Sequence, residues 1–308
     1  MCIRDRSRGT QTSVSQTSVP QTGVTKAIKV SQDRYELPVS LAKPIEYPCK
    51  DGGSAHAFYY PPIDHSANKS IQQNELPPLL VMVHGGPTAR AYGHFDIQKQ
   101  FWCSHGFAIL DVNHRGSTGF GRQYRDALYG QWGLVDAQDI VDGIDWLIEQ
   151  NLVDRDRVCI RGKSAGGYAV LRALTKHPSK FRAGACYYGI GNLATLAQIT
   201  HKFEKYYTDR LIDEKYDKTT AHLHSSEYYQ RSPINSVNQI RSAMIIFQGG
   251  LDKVVPPELA HEMVRSLTDN GVDHEYIEYS DEGHGFRVVS NNIDAWSREL
   301  SFYQSQLA

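Results

Sequence analysis

The feature that most constrains this chain is a series of short apolar runs separated by stretches of helical periodicity. Leu79 to Val83 (LLVMV), Phe107 to Val112, Arg157 to Ile160, Ala183 to Tyr188 and Ala243 to Phe247 are almost uninterrupted in hydrophobicity. Runs this short and continuous are expected of strands buried on both faces, the pattern of a parallel sheet. Between them, Ala137, Ile140, Val141, Ile144 and Leu147 recur at helical spacing, as do Leu259, Met263, Val264 and Leu267. Ile293, Trp296, Leu300, Tyr303 and Leu307 repeat that spacing near the C-terminus and predict a last amphipathic helix with this stripe inward. Strands alternating with helices imply right-handed crossovers, so the expected fold is α/β, a doubly wound, mostly parallel sheet flanked by helices. Its ligand site should lie beyond the carboxyl ends of the strands.

Composition narrows the function. Among 308 residues, 33 Lys and Arg stand against 34 Asp and Glu, and no run of like charge occurs. A nucleic-acid or acidic-membrane partner therefore has no electrostatic support, and a small molecule or peptide is expected instead. The five cysteines are odd in number and lack C-x-x-C spacing, which argues against a disulfide framework or a zinc ribbon. No stretch approaches the roughly 20 apolar residues of a membrane span, and Met1 to Thr10 is charged where a signal peptide needs an apolar core. The expectation is a soluble, cytoplasmic protein. The segment from Gln11 (QTSV, QTSV, QTGV) is polar and repetitive, so residues 1–36 are expected to form a low-complexity tail, with residues 37–308 as the catalytic domain.

Directly after the strand RVCI stands Gly162-Lys163-Ser164-Ala165-Gly166, followed by an apolar helical run. A serine in G-x-S-x-G between a strand and a helix is expected on a sharp, strained turn, where any Cβ at the glycines would collide as strand and helix close together. Ser164 is thus the candidate nucleophile; an ordinary helix-capping serine is the alternative. A serine hydroxyl needs an imidazole to take its proton, and the imidazole needs a carboxylate to fix its tautomer. In this order of elements the acid follows a late strand and the histidine follows the last one, which selects Asp252 and, from thirteen histidines, His284. Asp281 and Glu282, beside it, are expected to be solvated. The oxyanion donors are expected to be the backbone N–H groups of Ala165 and Gly86, the latter in the His84-Gly85-Gly86-Pro87 loop after LLVMV.

With these pieces in order, the chain resembles the catalytic domain of the prolyl oligopeptidase family, in particular its acylaminoacyl-peptidase and dipeptidyl-aminopeptidase-like branch, and so an α/β-hydrolase fold. The likeness covers Pro44 to the C-terminus and rests on VHGGPTA, DVNHRGSTGFGRQYRD, QWGLVDAQDIVDG, GKSAGGY, YYGIGNL, HKFE, RSPIN, FQGGLDKVVPP and DEGHGF. It implies a serine peptidase without cofactor or metal, acting on short peptides or N-acyl amino acids. It also implies that Val255, with Phe203 and Tyr207, lines the pocket for the residue before the scissile bond. Relatives with a tyrosine before the glycines use its hydroxyl as an oxyanion donor; His84 stands there in this chain, leaving a backbone donor. Family members usually carry an N-terminal β-propeller, whereas only about forty low-complexity residues precede the likeness here. Exposed surface that relatives keep covered predicts self-association as a homo-oligomer. A carboxylesterase of the same fold and a non-catalytic fragment are the competing readings. His222 and His224 are expected to be solvated, Arg115 to tie backbone carbonyls behind the site, and Tyr187 and Tyr188 to pack in the core.

Overall fold

A computed structural model describes residues 38–63, 75–199 and 206–308. The proposed tail, residues 1–36, and Phe203 lie outside the described residues. Eight strands pair into one sheet among these residues: β1 Lys43–Pro48, β2 Ser54–Tyr60, β3 Leu79–Val83, β4 Ala108–Asn113, β5 Val158–Lys163, β6 Ala183–Tyr187, β7 Ala243–Gly249 and β8 His274–Tyr279. Their order is β1-β2-β4-β3-β5-β6-β7-β8. β1 and β2 run antiparallel at one edge, β2 pairs antiparallel with β4, and every other pairing is parallel. The expected doubly wound, mostly parallel sheet of the α/β-hydrolase fold is therefore present. Its reversal of winding falls between β3 and its neighbours β4 and β5, which places the ends of β3 and β5 side by side.

The apolar runs are buried throughout, because helices cover both faces: every residue of β3, β4, β6 and β7 is buried. β1 and β2 escape a search for continuous hydrophobicity. β2 alternates half-buried with buried positions and turns only Ala55, Ala57, Tyr59 and Tyr60 fully inward.

The helices are α1 Ile97–Ser104, α2 Arg122–Asp126, α3 Val135–Glu149, α4 Ala165–Lys176, α5 Leu193–Ile199, α6 Tyr207–Ile212, α7 Glu227–Gln230, α8 Pro257–Asp269 and α9 Val289–Leu307, with a 3₁₀ segment over Pro233–Gln239. On one face of the sheet α3 buries Ile140, Val141, Ile144 and Leu147, and α8 adds Met263 and Leu267. On the other, α1 contributes Trp102, and α9 contributes Ala295, Phe302 and Tyr303. The stripe predicted for α9 is rotated from the observed one, since Ile293 is 59% exposed and Glu299 fully buried. The reason is electrostatic: Glu299 reaches under the sheet to Arg161 Nε at 3.0 Å and accepts the Tyr187 hydroxyl at 2.5 Å. A paired carboxylate can occupy the core, and hydropathy alone assigns it to solvent.

Candidate active site

β5 delivers Ser164 at the seam of the sheet. Its backbone stands at φ 56°, ψ −123°, a conformation that costs an L-residue on the order of 1–3 kcal/mol and persists only where surroundings enforce it. The enforcement is visible at the glycines. A Cβ on Gly162 would lie 2.2 Å from the Gly166 carbonyl oxygen, and one on Gly166 would lie 2.2 Å from the carbonyl oxygen of Val83. The Ser164 amide donates to the Tyr187 carbonyl at 3.0 Å, tying the turn to β6.

Although Ser164 occupies the N-cap position of α4, its side chain makes no capping hydrogen bond. Its Oγ instead lies 2.9 Å from His284 Nε2, and His284 Nδ1 lies 2.8 Å from Asp252 Oδ2. The second carboxylate oxygen, Oδ1, accepts the backbone amides of Val254 at 2.8 Å and Val255 at 2.9 Å. The Asp252 side chain is wholly inaccessible, while that of His284 keeps 23% exposure. An imidazole that donates from Nδ1 to a buried carboxylate presents its Nε2 lone pair to the hydroxyl. Tyr188 sets the edge of its ring against the imidazole, with centroids 4.8 Å apart. It thus touches the site that sequence alone left to core packing.

Glycine brings the histidine loop close, at a position that sequence reading did not single out. A Cβ on Gly283 would make only an ordinary contact, 3.8 Å from the Leu251 carbonyl oxygen, but one on Gly249, at the end of β7, would sit 2.5 Å from the Gly283 carbonyl oxygen. Gly285 adopts φ +97°, the left-handed region that favours glycine. Glu282 is not solvated as expected. It is 1% exposed and accepts the amides of Arg287 at 2.8 Å and Val288 at 2.9 Å, bracing the turn into α9.

Gly86 and Ala165 line the same cavity of about 330 Å³ as Ser164. His84 Nδ1 meets the Gly85 carbonyl oxygen at 2.8 Å, and its Nε2 meets the Ser117 hydroxyl at 2.8 Å. The ring also stacks on His114 at 4.7 Å. Burial, with His114 alongside, pushes His84 down to about 3, and burial pushes His114 down to about 4. His84 is therefore a neutral imidazole that donates from Nδ1 and accepts at Nε2. The Gly85 carbonyl it holds belongs to the same rigid peptide unit as the Gly86 N–H.

The cavity wall is largely apolar. Val255 and Tyr207 both line it, Val255 from the loop that also carries Asp252, and the Tyr207 hydroxyl bonds that of Thr88 at 2.7 Å. Trp132, Ile190, Leu196 and Leu211 complete it from four separate segments, with no signal in sequence to unite them.

Arg115 does not tie carbonyls together. Its guanidinium grips Asp139 through Nε at 3.0 Å and Nη2 at 2.6 Å, and reaches Asp51 at 2.5 Å. Its partners are two of the protein's own acids in place of the expected backbone carbonyls. His222 and His224 are exposed, as expected. Among the described residues, Cys49, Asp139 and Asp142 form one cluster of metal-ligand type. Both Asp139 oxygens already bond Arg115, and burial, first, raises the Cys49 thiol to about 12, so the donor set suits internal pairing rather than an ion.

Comparison with known proteins agrees with this architecture. The dipeptidyl aminopeptidase BIII of Pseudoxanthomonas mexicana is 31% identical over 249 residues, covering 81% of this chain and 36% of the relative. An acylamino-acid-releasing enzyme of Arabidopsis thaliana is 27% identical over 220 residues, covering 71% of this chain and 29% of the relative. A puromycin-hydrolyzing peptidase of Mycobacterium tuberculosis superposes with a TM-score of 0.82 at 33% identity, over 87% of this chain and 40% of that one. The chain thus spans 29–40% of the length of these proteins. A family model described as the prolyl oligopeptidase family matches residues 93–308, and on that match together with the 31% identity above, the chain belongs to the prolyl oligopeptidase family.

Proposed function

We propose that this chain is a serine-type peptidase that cleaves short peptides or N-acyl amino acids through an acyl-enzyme. The observation that carries the reading is the unbroken relay of hydrogen bonds, 2.9 Å from Ser164 Oγ to His284 Nε2 and 2.8 Å from His284 Nδ1 to Asp252 Oδ2. In this reading His284 removes the Ser164 proton as Oγ attacks the scissile carbonyl carbon, and returns it to the leaving amine as the carbon–nitrogen bond breaks. Asp252 keeps the imidazole in one tautomer and stabilises the imidazolium; the two amides on its other oxygen hold the carboxylate in place. The developing oxyanion receives the N–H groups of Gly86 and Ala165, the second at the N-terminus of α4. Water then repeats the attack on the acyl-enzyme, with His284 again as base.

The apolar cavity beside Ser164, walled by Val255 and Tyr207, takes the side chain preceding the scissile bond, and its lining favours an uncharged, apolar residue. Among the described residues the four cysteines are buried and free, which supports the reducing, cytoplasmic setting we propose, and no helix is long and apolar enough to cross a membrane.

Labelling with a fluorophosphonate probe, and turnover of an acyl-amino-acid amide, a dipeptide amide and a short-chain p-nitrophenyl ester, test this reading. We expect labelling of the wild type and none of Ser164→Ala, with turnover of at least one amide. Turnover of the ester alone would favour a carboxylesterase, and an unlabelled wild type would remove the hydrolase reading altogether.

A further inference from the structure

The imidazole of His284 is held by hydrogen bonds at two points. Nε2 meets Ser164 Oγ at 2.9 Å and Nδ1 meets Asp252 Oδ2 at 2.8 Å, while the side chain keeps 23% exposure. Two bonds to ring nitrogens leave the tilt of the ring about the line joining them open, so packing has to set it. The backbone restrains it little, because glycine stands on either side and Gly285 is at φ +97°.

Among the described residues, the aromatic ring that meets this imidazole is that of Tyr188, with centroids 4.8 Å apart and planes inclined at 61°. The tyrosine is itself confined. It is 5% exposed and makes T-shaped contacts with Phe286 at 5.5 Å and Tyr187 at 6.3 Å.

The backbone of Tyr188 is fixed as well. The Tyr187 carbonyl accepts the Ser164 amide at 3.0 Å, and the Tyr188 amide donates to the Phe247 carbonyl at 2.7 Å. That carbonyl and that amide belong to one planar peptide unit, so a single rigid plate joins the nucleophile turn to β7, whose following loop carries Asp252. The next residue is equally crowded: a Cβ on Gly189 would lie 2.3 Å from Cys186 Sγ and 2.9 Å from the Gly167 carbonyl carbon in α4. Between these anchors Tyr188 stands at φ +38°, a left-handed conformation that a residue with a bulky side chain seldom adopts. Burying a tyrosine in a core requires no such conformation. Strain of this kind persists only where the surroundings over-determine it.

We infer that Tyr188 is a positioning residue: its ring, carried on the backbone that also places Ser164, holds the His284 imidazole at the tilt that aims Nε2 at the hydroxyl. The inference rests on the peptidase reading above and adds a residue that acts through His284. A ring free to tilt misplaces Nε2, and a misplacement of about 1 Å costs up to about a hundredfold in rate.

The test compares the wild type with Tyr188→Phe, which keeps the ring, and with Tyr188→Leu and Tyr188→Met, which remove it by two different shapes, all as the full chain and below their melting temperatures. Fluorophosphonate labelling run to completion counts competent sites. Followed in time, it gives the rate per site, which depends on His284 taking the Ser164 proton as Oγ displaces fluoride from phosphorus. The expected result for both ringless variants is labelling to the wild-type stoichiometry at a rate about ten- to a hundredfold lower. On an acyl-amino-acid amide kcat should fall by a similar factor with KM within about threefold, and Tyr188→Phe should stay within about threefold of the wild type throughout. A ringless variant whose rate per site is within about threefold of the wild type overturns the inference. So does a loss confined to KM or to the number of competent sites, or a Tyr188→Phe that falls as far as Tyr188→Leu. A wild type that takes no label removes the hydrolase reading, and this inference with it.

Discussion

Replacing His84 by alanine tests whether a buried imidazole sets the direction of a backbone donor. His84 Nδ1 donates to the Gly85 carbonyl at 2.8 Å, and Ser117 on the other ring nitrogen fixes the imidazole at 2.8 Å. Because Gly85 C=O and Gly86 N–H are ends of one planar unit, releasing the carbonyl lets the N–H swing. Gly86 already stands at φ +120°, so little local preference holds the peptide once the contact is gone. The worst case equals the loss of one oxyanion donor, about a hundred- to thousandfold in kcat, or roughly 2.7–4 kcal/mol of transition-state stabilisation. The donor acts on charge that develops only during reaction, so the fall should appear in kcat, with KM within about threefold of wild type. It should also be the same from pH 6 to pH 9, because His84, pushed down to about 3, is neutral throughout. Steady-state kinetics on an acyl-amino-acid amide, below the melting temperature of the variant, gives the answer. A kcat within about threefold of wild type, or a loss confined to KM, refutes the reasoning.

Two further outcomes concern stability. Gly166→Ala drives a Cβ to 2.2 Å from the Val83 carbonyl oxygen on the central strand β3, so the urea midpoint should fall by the equivalent of about 1–3 kcal/mol or more, with activity lost; a variant that unfolds and turns over like the wild type contradicts the steric account of the turn. Acid should destabilise the His84–His114 pair: their folded-state values, about 3 and about 4, lie below the unfolded value near 6.5, so the unfolded chain takes up protons first and the stability present above pH 6.5 is lost as pH falls toward 4. Asp111 and Asp136, which burial raises to about 6, titrate in the opposite sense, so the readout is the difference between wild type and His114→Gln. That difference should move against the wild type by about 1.5 kcal/mol between pH 6.5 and pH 5, and a constant difference across that range would sink the claim.

The chain's organisation was legible where burial writes a continuous signal. β3 falls where the apolar run LLVMV places it, and β4 to β7 differ from the predicted runs by one to three residues at their ends. The positions of Ser164, Asp252 and His284 were legible because each follows a recognisable strand, with glycines marking the turn at the first. Less legible were residues whose environment comes from distant segments. Glu282 and Glu299 carry charge and so resemble surface residues in sequence, yet two backbone amides bury the first and Arg161 the second.

What sequence by itself determined was the kind of fold and the kinds of residue available at the strand ends, since periodicity and turn chemistry are local properties. Which atoms meet was decided by tertiary structure alone. Residues 164, 252 and 284 converge because β5, β7 and β8 lie parallel in one sheet, so that their C-terminal loops open at the same edge. The neutral state of His84 and the apolar wall around Val255 likewise follow from what surrounds each group. Desolvation and pairing depend on neighbours in space, and those neighbours are brought together only when the sheet and its helices close.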